Sequence, residues 1–172
     1  MSPSDSGPPS LSAKERVLLD PKIRKVHDYW VAKHRDRRLP SRGDLDPVDL
    51  ADCLGGLMLL DVVGVGAGQD FAVRLAGQQV EEAFGRSLRG QKLLGVFKDM
   101  ADTDCFRRFR LAAITGEADF RSADLAGLGR PFVHYDRAML PLSEDGSTIT
   151  HLLCCYVFTH RAVSPSATPP AG

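Results

Sequence analysis

The feature that most constrains the fold is the stretch from Pro131 to Phe158, which has the pattern of a β-hairpin. Two apolar arms, FVHYDRAMLPL and TITHLLCCYVF, flank the loop SEDGS, where Asp145-Gly146 provides the positive φ that a tight reversal needs. Alternate residues of the second arm fall on two sheet faces. The two sets are Thr150, Leu152, Cys154, Tyr156, Phe158 and Ile149, His151, Leu153, Cys155, Val157. Because both faces are largely apolar, we expect other parts of the fold to cover both.

The length and composition predict one folded domain. With 172 residues, of which 43% are hydrophobic, the chain can bury one core of ordinary size. Residues 1–13 and 162–172 are rich in Ser, Pro, Ala and Gly. We expect both to be disordered tails, because such segments bury too little apolar surface to offset the entropy of ordering. The folded part is then residues 14–161, a single domain.

The charge and cysteine content argue against several kinds of partner. The 22 basic and 22 acidic residues give a net charge of zero, which offers no support for binding to nucleic acid or to a membrane surface. No apolar run is long enough for a membrane span, and the N-terminus lacks the apolar segment of a secretory signal. The four cysteines form no CxxC pair, which is typical of reduced thiols. We therefore expect a cytoplasmic protein with no nucleic-acid or membrane partner.

The remainder of the chain predicts helices and strands in a definite order. Asp20-Pro21 is an N-cap followed by proline, so a helix begins there, and we expect it to end near Arg38. Asp46-Pro47 repeats that signature and predicts a second, short helix. The later segments first predict strands at 57–63 and 71–76, joined by a glycine-rich hairpin loop, and then short helical pieces at 78–84 and 88–97. A longer helix follows, capped by Asp102 or Thr103, which continues to Thr115 and closes at Gly116. The last of these elements is a strand at 119–125.

The candidate catalytic and metal-binding residues do not form a recognisable site. His134 and His151 lie on opposite hairpin arms, where strand pairing could bring them together, but a strand histidine is more often a hydrogen-bonded residue of the core or rim. Cys154 and His151 face opposite sides of their strand, and Cys155 lies about 13 Å along the strand from His151. We therefore predict no enzyme activity, no metal and no cofactor.

Two arginines, Arg74 and Arg137, lie inside otherwise apolar strands, where an unpaired guanidinium is costly. One interpretation is an ion pair, with Asp61, Asp136 or an N-terminal aspartate as the partner. The other is anion recognition, since a guanidinium binds a carboxylate or phosphate through two parallel hydrogen bonds. In the second interpretation both arginines anchor a small acidic metabolite, and the nearby ligand-binding residues are Phe71, Phe97, Tyr135 and His151.

The order of these elements, two strands, a helical crossover and three strands, resembles the PAS domain. Six motifs support the resemblance together: Tyr29-Trp30, Leu39–Arg42 with Asp44–Pro47, Leu57–Val62, Phe71–Gly77, Arg86–Gly90 and Tyr135–Gly146. They resemble the small single-domain PAS proteins abundant in alphaproteobacteria over residues 25–158, with Asp136 where we expect Glu. The resemblance implies an α+β fold with a five-stranded antiparallel sheet, a helical crossover and an N-terminal flanking helix.

The resemblance leaves two function classes open. In the first, the protein is a stand-alone, non-catalytic sensory or signalling module that binds a small molecule, a protein partner or both. In the second, it is purely a protein-interaction or dimerisation domain whose pocket is filled by its own side chains. The run Asp104-Cys105-Phe106-Arg107 resembles the reactive-cysteine run of photosensory relatives, but it lacks the Asn and begins the later helix. We therefore predict no light sensing.

The resemblance also predicts an interface. PAS dimers commonly use a flanking N-terminal helix, and the corresponding helix here presents Ile23, Val26, Tyr29 and Trp30. We expect a homodimer that uses this helix, together with a signalling protein as partner. The alternative is that Trp30 packs on the sheet of its own chain. A third, weaker hypothesis, that the basic helix contacts nucleic acid, is disfavoured by the acidic segment that follows it.

Overall fold

A computed structural model describes residues 10–36 and 38–161 of the chain. The predicted tails fall largely outside these residues. The described residues form five helices and five strands, in the order α1 (Ala13–Val17), α2 (Pro21–Ala32), β1 (Leu57–Val63), β2 (Asp70–Ala76), α3 (Gln78–Phe84), α4 (Leu93–Val96), α5 (Asp104–Thr115), β3 (Asp119–Leu125), β4 (Arg130–Leu142) and β5 (His151–His160).

The five strands form one antiparallel sheet in the order β2-β1-β5-β4-β3. The β4–β5 hairpin predicted from the sequence is present, with Ala138 opposite Cys155 and Leu142 opposite His151. Strand β5 is central because β1 pairs with its other edge. The chain between β2 and β3 contains α3, α4 and α5 and forms the helical crossover. The predicted fold class, α+β with a five-stranded antiparallel sheet, is therefore confirmed.

Each face of the sheet is covered by a separate apolar core, as the alternation in β5 predicts. On one face Leu152, Cys154 and Tyr156 pack with residues of α3, α4 and α5, and we call this cluster the crossover core. On the other face Leu153 and Cys155 pack with α1, α2 and residues 50–53, and we call this cluster the N-terminal core. The two-sided burial of the hairpin explains why so few charged residues occur in it.

Helix α5 forms the part of the crossover that lies over the sheet beside β3 and β4. Thr103 is its N-cap and accepts a hydrogen bond from the backbone N–H of Phe106 at 3.2 Å. Phe106, Phe109 and Ala112 recur at helical spacing and are buried. The helix ends at Gly116, which has φ 69° and therefore adopts the left-handed conformation that glycine accepts most easily. These local signals agree with the sequence prediction.

Helix α2 begins where the sequence predicts but ends earlier. Asp20 caps it, accepting hydrogen bonds from the N–H groups of Lys22 and Ile23, but the helix stops at Ala32 instead of near Arg38. The chain then reverses through Asp36, which has φ 50°, a conformation that aspartate tolerates better than most residues. The reversal brings Leu39 back against both apolar cores, and this tertiary contact outweighs the local helical pattern.

Two of the short helices predicted from the sequence differ from the structure, one in its type and the other in its length. After Asp46-Pro47 the chain forms successive turns, and Leu50 and Cys53 are buried. The N–H groups that donate to the carbonyl three residues earlier are those of Asp49, Leu50, Ala51 and Cys53. In the predicted piece at 88–97 only α4 is helical. The preceding residues lie along the free edge of β2, where the Val73 N–H donates to the Gln91 carbonyl at 2.8 Å. Pairing with a strand edge is a long-range interaction that sequence periodicity does not report.

Candidate functional site

A cavity of about 800 Å³ lies between the crossover and the face of the sheet that it covers. Its apolar wall comes from the crossover and from the strands, and includes Met58, Phe84, Leu88, Leu93, Val96, Phe97, Phe109 and Tyr156. Its polar wall is concentrated on β3, β4 and the start of α5, and includes Asp104, Arg121, His134, Tyr135 and Arg137. A concave space with an apolar wall and a few convergent polar groups is the usual form of a small-molecule site.

Arg137 is the most unusual residue of the cavity wall. Its side chain is 1% exposed, and its guanidinium lies 4.9 Å from the centre of the Phe109 ring. One terminal nitrogen donates to Asp119 Oδ2 at 2.9 Å, and the other donates to the Cys105 Sγ at 3.7 Å. The Nε of Arg137 is buried and has no hydrogen-bond partner among the described residues. A buried charged donor without a partner is costly, because it loses water and gains nothing in return.

Arg121 is another arginine of the cavity wall and lies directly opposite Arg137 in the pairing of β3 with β4. Its Nε donates to the Tyr135 hydroxyl at 3.2 Å, and another nitrogen donates to Asp104 Oδ2 at 2.9 Å. Asp104 also accepts hydrogen bonds from Arg107 and Arg108 on its own helix. Hydrogen bonds from Arg107, Arg108 and Arg121, in that order, hold the pKa of Asp104 well below its ordinary range.

Burial keeps two tyrosines and one cysteine in and near the cavity neutral. Burial raises the pKa of Tyr135 and, to a greater extent, that of Tyr156, and it raises the pKa of Cys154 to about 12. The Tyr135 and Tyr156 rings pack edge to face, with their centres 5.6 Å apart. At neutral pH Cys154 is therefore a protonated thiol and not a nucleophile.

The structure separates the predicted ligand-binding residues into three groups. Arg137, Tyr135 and Phe97 line the cavity. Phe71 is fully buried behind Phe109, with ring centres 5.6 Å apart. Arg74 and His151 lie outside the cavity wall and next to Asp61: Arg74 donates to its carboxylate at 2.8 Å, and the Nε2 of His151 lies 3.1 Å from the same oxygen. The cavity therefore brings together one of the two predicted anchors and two of the four nearby residues.

The ion-pair interpretation gives the correct partner for one of the two arginines. The predicted pair of Arg74 with Asp61 is confirmed. The partner of Arg137 is Asp119, whereas Asp136, which the sequence suggested, bonds to Ser122. Asp136 and Arg137 are adjacent in one strand and so face opposite sides of the sheet.

The residue that sequence reasoning missed is Arg121. It lies in the third strand, whose pattern contains polar residues throughout, so an arginine there attracts no attention. The informative signal is its position opposite Arg137, since like charges directly across two strands destabilise a sheet unless something compensates them. That signal requires the strand register, which the sequence alone does not provide.

The two hairpin histidines are far apart, which corrects the suggestion that pairing could bring them together. His134 lies opposite Thr159, near one end of the hairpin, and His151 lies opposite Leu142, at the other end. Within residues 10–36 and 38–161 no group of three or more His, Cys, Asp or Glu side chains is placed to hold a metal ion.

The predicted interface residues pack within the chain. Ile23 and Val26 are fully buried in the N-terminal core, and Trp30 is 7% exposed, with its indole N–H donating to the Pro141 carbonyl at 2.9 Å. Tyr29 is half-buried and donates from its hydroxyl to Asp49 at 2.9 Å. The structure thus has Trp30 on the sheet of its own chain, and an interface formed by these residues would require α2 to leave that sheet.

None of the helices in the described part of the chain is long and apolar enough to span a membrane.

The fold and the cavity together define an α+β domain in which a helical crossover encloses a ligand-sized space against an antiparallel sheet. The family described as PAS domain matches residues 19–157, which is most of the chain, so the chain belongs to this family. A search of curated proteins gives no match.

Solved structures with a similar fold are distant in sequence. A sensory box sensor histidine kinase from Vibrio cholerae is 21% identical, with a TM-score of 0.45 over 67% of this chain and 90% of that one. An RNA-binding Light-Oxygen-Voltage receptor is 15% identical, with a TM-score of 0.45 over 69% of this chain and 35% of that one. A fungal LOV domain photoreceptor is 15% identical, with a TM-score of 0.47 over 83% of this chain and 96% of that one. The family assignment rests on the family match and not on these likenesses.

Membership of the PAS family makes the chain a sensory or signalling module, since PAS domains are generally sensory and non-catalytic.

Proposed function

We propose that this module senses a small acidic metabolite, which binds in the cavity, and transmits its presence to a signalling protein. The observation behind the proposal is Arg137, a buried guanidinium in the cavity wall whose Nε has no hydrogen-bond partner among the described residues. The Nε is almost inaccessible from the cavity, so an oxyanion bound beside Arg137 supplies the missing acceptor after a small shift of the side chain toward it. Because hydrogen bonds that involve charged groups are worth about 1.5–3 kcal/mol each, this contact favours an acid over a neutral molecule.

The hydrogen bonds around the cavity provide a route for the signal. Arg137 bonds to Asp119, and Asp119 also bonds to Arg108 on α5 at 2.8 Å. A ligand that engages Arg137 therefore acts on a group connected to α5. The outer surface of that helix exposes Leu111 and Ile114 beside Arg107 and Arg110, a suitable contact for a partner protein.

The test is native mass spectrometry of the purified protein, compared with its mass after denaturation. We expect the native protein to retain an additional small mass and the variant Arg137→Gln to lose it. Arg74→Gln is the matched control, because Arg74 is also an arginine of an apolar strand but is paired with Asp61 outside the cavity wall. The control also tests the sequence-based prediction that Arg74 binds the ligand.

Two results would contradict the proposal. One is an Arg137→Gln protein that is folded by circular dichroism and retains the same mass as the wild type. The other is a wild type that carries no additional mass and binds no acid when acids are added.

The second candidate is an interaction domain without a ligand, supported by the exposed apolar side chains Leu111 and Ile114 on α5. It predicts a dimer or a partner complex of unmodified mass in the same spectrum. A retained small molecule that depends on Arg137 decides against it.

A further inference from the structure

Two of the three arginines in the cavity wall, Arg121 and Arg137, face each other across neighbouring strands, which is an unfavourable arrangement in a half-buried sheet. Arg121 and Arg137 are direct partners in the β3–β4 register, and their side chains are 23% and 1% exposed. Directly opposed like charges repel, and burial strengthens the repulsion because water screens it less. Whether the protein itself neutralises the two guanidinium charges therefore depends on the carboxylates around them.

The carboxylates are fewer than the guanidinium groups that they serve. Asp104 is shared by Arg107, Arg108 and Arg121, and Asp119 is shared by Arg108 and Arg137. This network thus has four guanidinium groups and two carboxylates. The remaining charged residues of the cavity wall, Arg86, Lys98, Asp99 and Asp124, balance one another in sign. The network therefore has two more positive than negative charges. Arg107 and Arg108 lie outside the cavity wall and share Asp104 and Asp119 with the two facing arginines, and the Nε of Arg137 has no partner among the described residues.

The opposite end of the cavity has a different character. The sheet order places Met58 on β1, three strand positions from Arg121 on β3, a span of roughly 14 Å. The crossover adds a mainly aromatic and aliphatic wall, with Phe84, Leu93 and Phe97 among its members. Besides Asp104, its charged members are Arg86, which lies over the Phe97 ring at 5.8 Å, Lys98 and Asp99. A molecule that fills the cavity thus meets the two facing arginines on the sheet and a mainly apolar wall on the crossover.

We infer, on the basis of the proposed function, that the ligand is an amphipathic dianion whose doubly charged oxyanion contacts both Arg121 and Arg137 and whose apolar body packs against the crossover. The oxyanion is a phosphate monoester or a dicarboxylate, which have this charge in common. A single carboxylate has one charge to share between the two facing guanidinium groups, whereas a dianion offers one charge to each. Arg121 is thereby assigned to ligand recognition.

Four probes that share one apolar body test this inference: 2-naphthyl phosphate, naphthalene-2,3-dicarboxylate, 2-naphthoate and 2-naphthamide. Their dissociation constants are measured by isothermal titration calorimetry at pH 8 and constant ionic strength, where the phosphate monoester is a dianion. We expect at least one dianion to bind about tenfold to a hundredfold more tightly than 2-naphthoate, and 2-naphthamide to bind most weakly. The tighter of the two dianions distinguishes a phosphate from a dicarboxylate ligand.

Variants test whether the arginines cause the preference for a dianion over 2-naphthoate. In Arg121→Gln we expect the dianion and 2-naphthoate to bind with similar affinity, whereas Arg74→Gln retains the full preference. Arg121→Lys keeps the charge but loses the planar fork, so it should retain part of the preference. The comparison among the four probes on the wild-type protein does not depend on whether any variant folds.

Equal binding of 2-naphthoate or 2-naphthamide, an unchanged preference in folded Arg121→Gln, or the absence of binding by all four probes would overturn the inference. These results differ from failure of the proposed function. If the native protein retains a small molecule that depends on Arg137, the sensory site stands while the dianion assignment falls. If it retains no mass and binds none of the probes, both fall.

Discussion

At the scale of single residues, Arg74 and Arg137 show how similar sequence surroundings lead to different roles. Each is an arginine within a largely apolar strand, but Arg74 is the extra residue of a β-bulge, between Val73 and Leu75, which pair with consecutive residues of β1. Its guanidinium is partly exposed and pairs with Asp61, whereas that of Arg137 is buried in the cavity wall. Burial therefore determines how much each ion pair contributes to stability.

The ion pair of Arg137 with Asp119 gives a prediction at this scale. Asp119→Asn removes the carboxylate facing a fully buried guanidinium, and we expect the free energy of unfolding to fall by about 3 kcal/mol, measured by urea denaturation. The matched control is Asp61→Asn, which should cost much less, because Asp61 and Arg74 are both partly exposed to water. Equal losses in the two variants would contradict the prediction.

At the scale of elements, α2 is positioned by a few side chains that pack on the sheet. Ile23, Val26 and Trp30 form its buried stripe, and the Trp30 indole also bonds to Pro141 at the end of β4. The stripe follows helical spacing and was visible in the sequence. The surface against which the stripe packs was not visible in the sequence, because an apolar stripe fits a sheet of the same chain and a second copy of the chain equally well.

Substitution of Trp30 distinguishes these two arrangements. For packing within one chain, Trp30→Ala should lower the free energy of unfolding by about 3–5 kcal/mol at every protein concentration. Val31→Ala, on the exposed side of the same helix, is the control and should change it by less than about 0.5 kcal/mol. A loss that depends on protein concentration would instead place Trp30 between two copies of the chain.

At the scale of the whole molecule, stability should depend on pH through buried histidines. His27 packs against Trp30 and Phe120, and burial, followed by the nearby charge of Lys14, lowers its pKa below the ordinary value of 6.5. Burial also lowers the pKa of His151. Because unfolding restores the ordinary pKa, the unfolded chain binds protons more readily than the folded one, and stability present above pH 6.5 is lost as the pH falls through the folded-state pKa.

We therefore expect the midpoint of thermal unfolding to decrease between pH 7 and pH 5. His27→Gln should make this decrease smaller without abolishing it, because His151 contributes in the same direction. His160→Gln, at the exposed end of β5, serves as the control and should leave the slope as in the wild type. A slope that His27→Gln leaves unchanged would contradict the assignment to His27.

The elements that could be predicted from the sequence are those with local signals. These signals depend on neighbouring residues: the hairpin turn, the Asp20 and Thr103 caps, the alternating faces of β5 and the order of strands around the crossover. The family resemblance followed from them. Contacts between distant parts of the folded chain determine where α2 ends, that residues 90–92 lie along β2, and on which face of the sheet the cavity forms. They also determine that Arg137 meets Arg121 and not Arg74, since such contacts depend on strand register and on residues distant in the chain, whose energies no local pattern encodes.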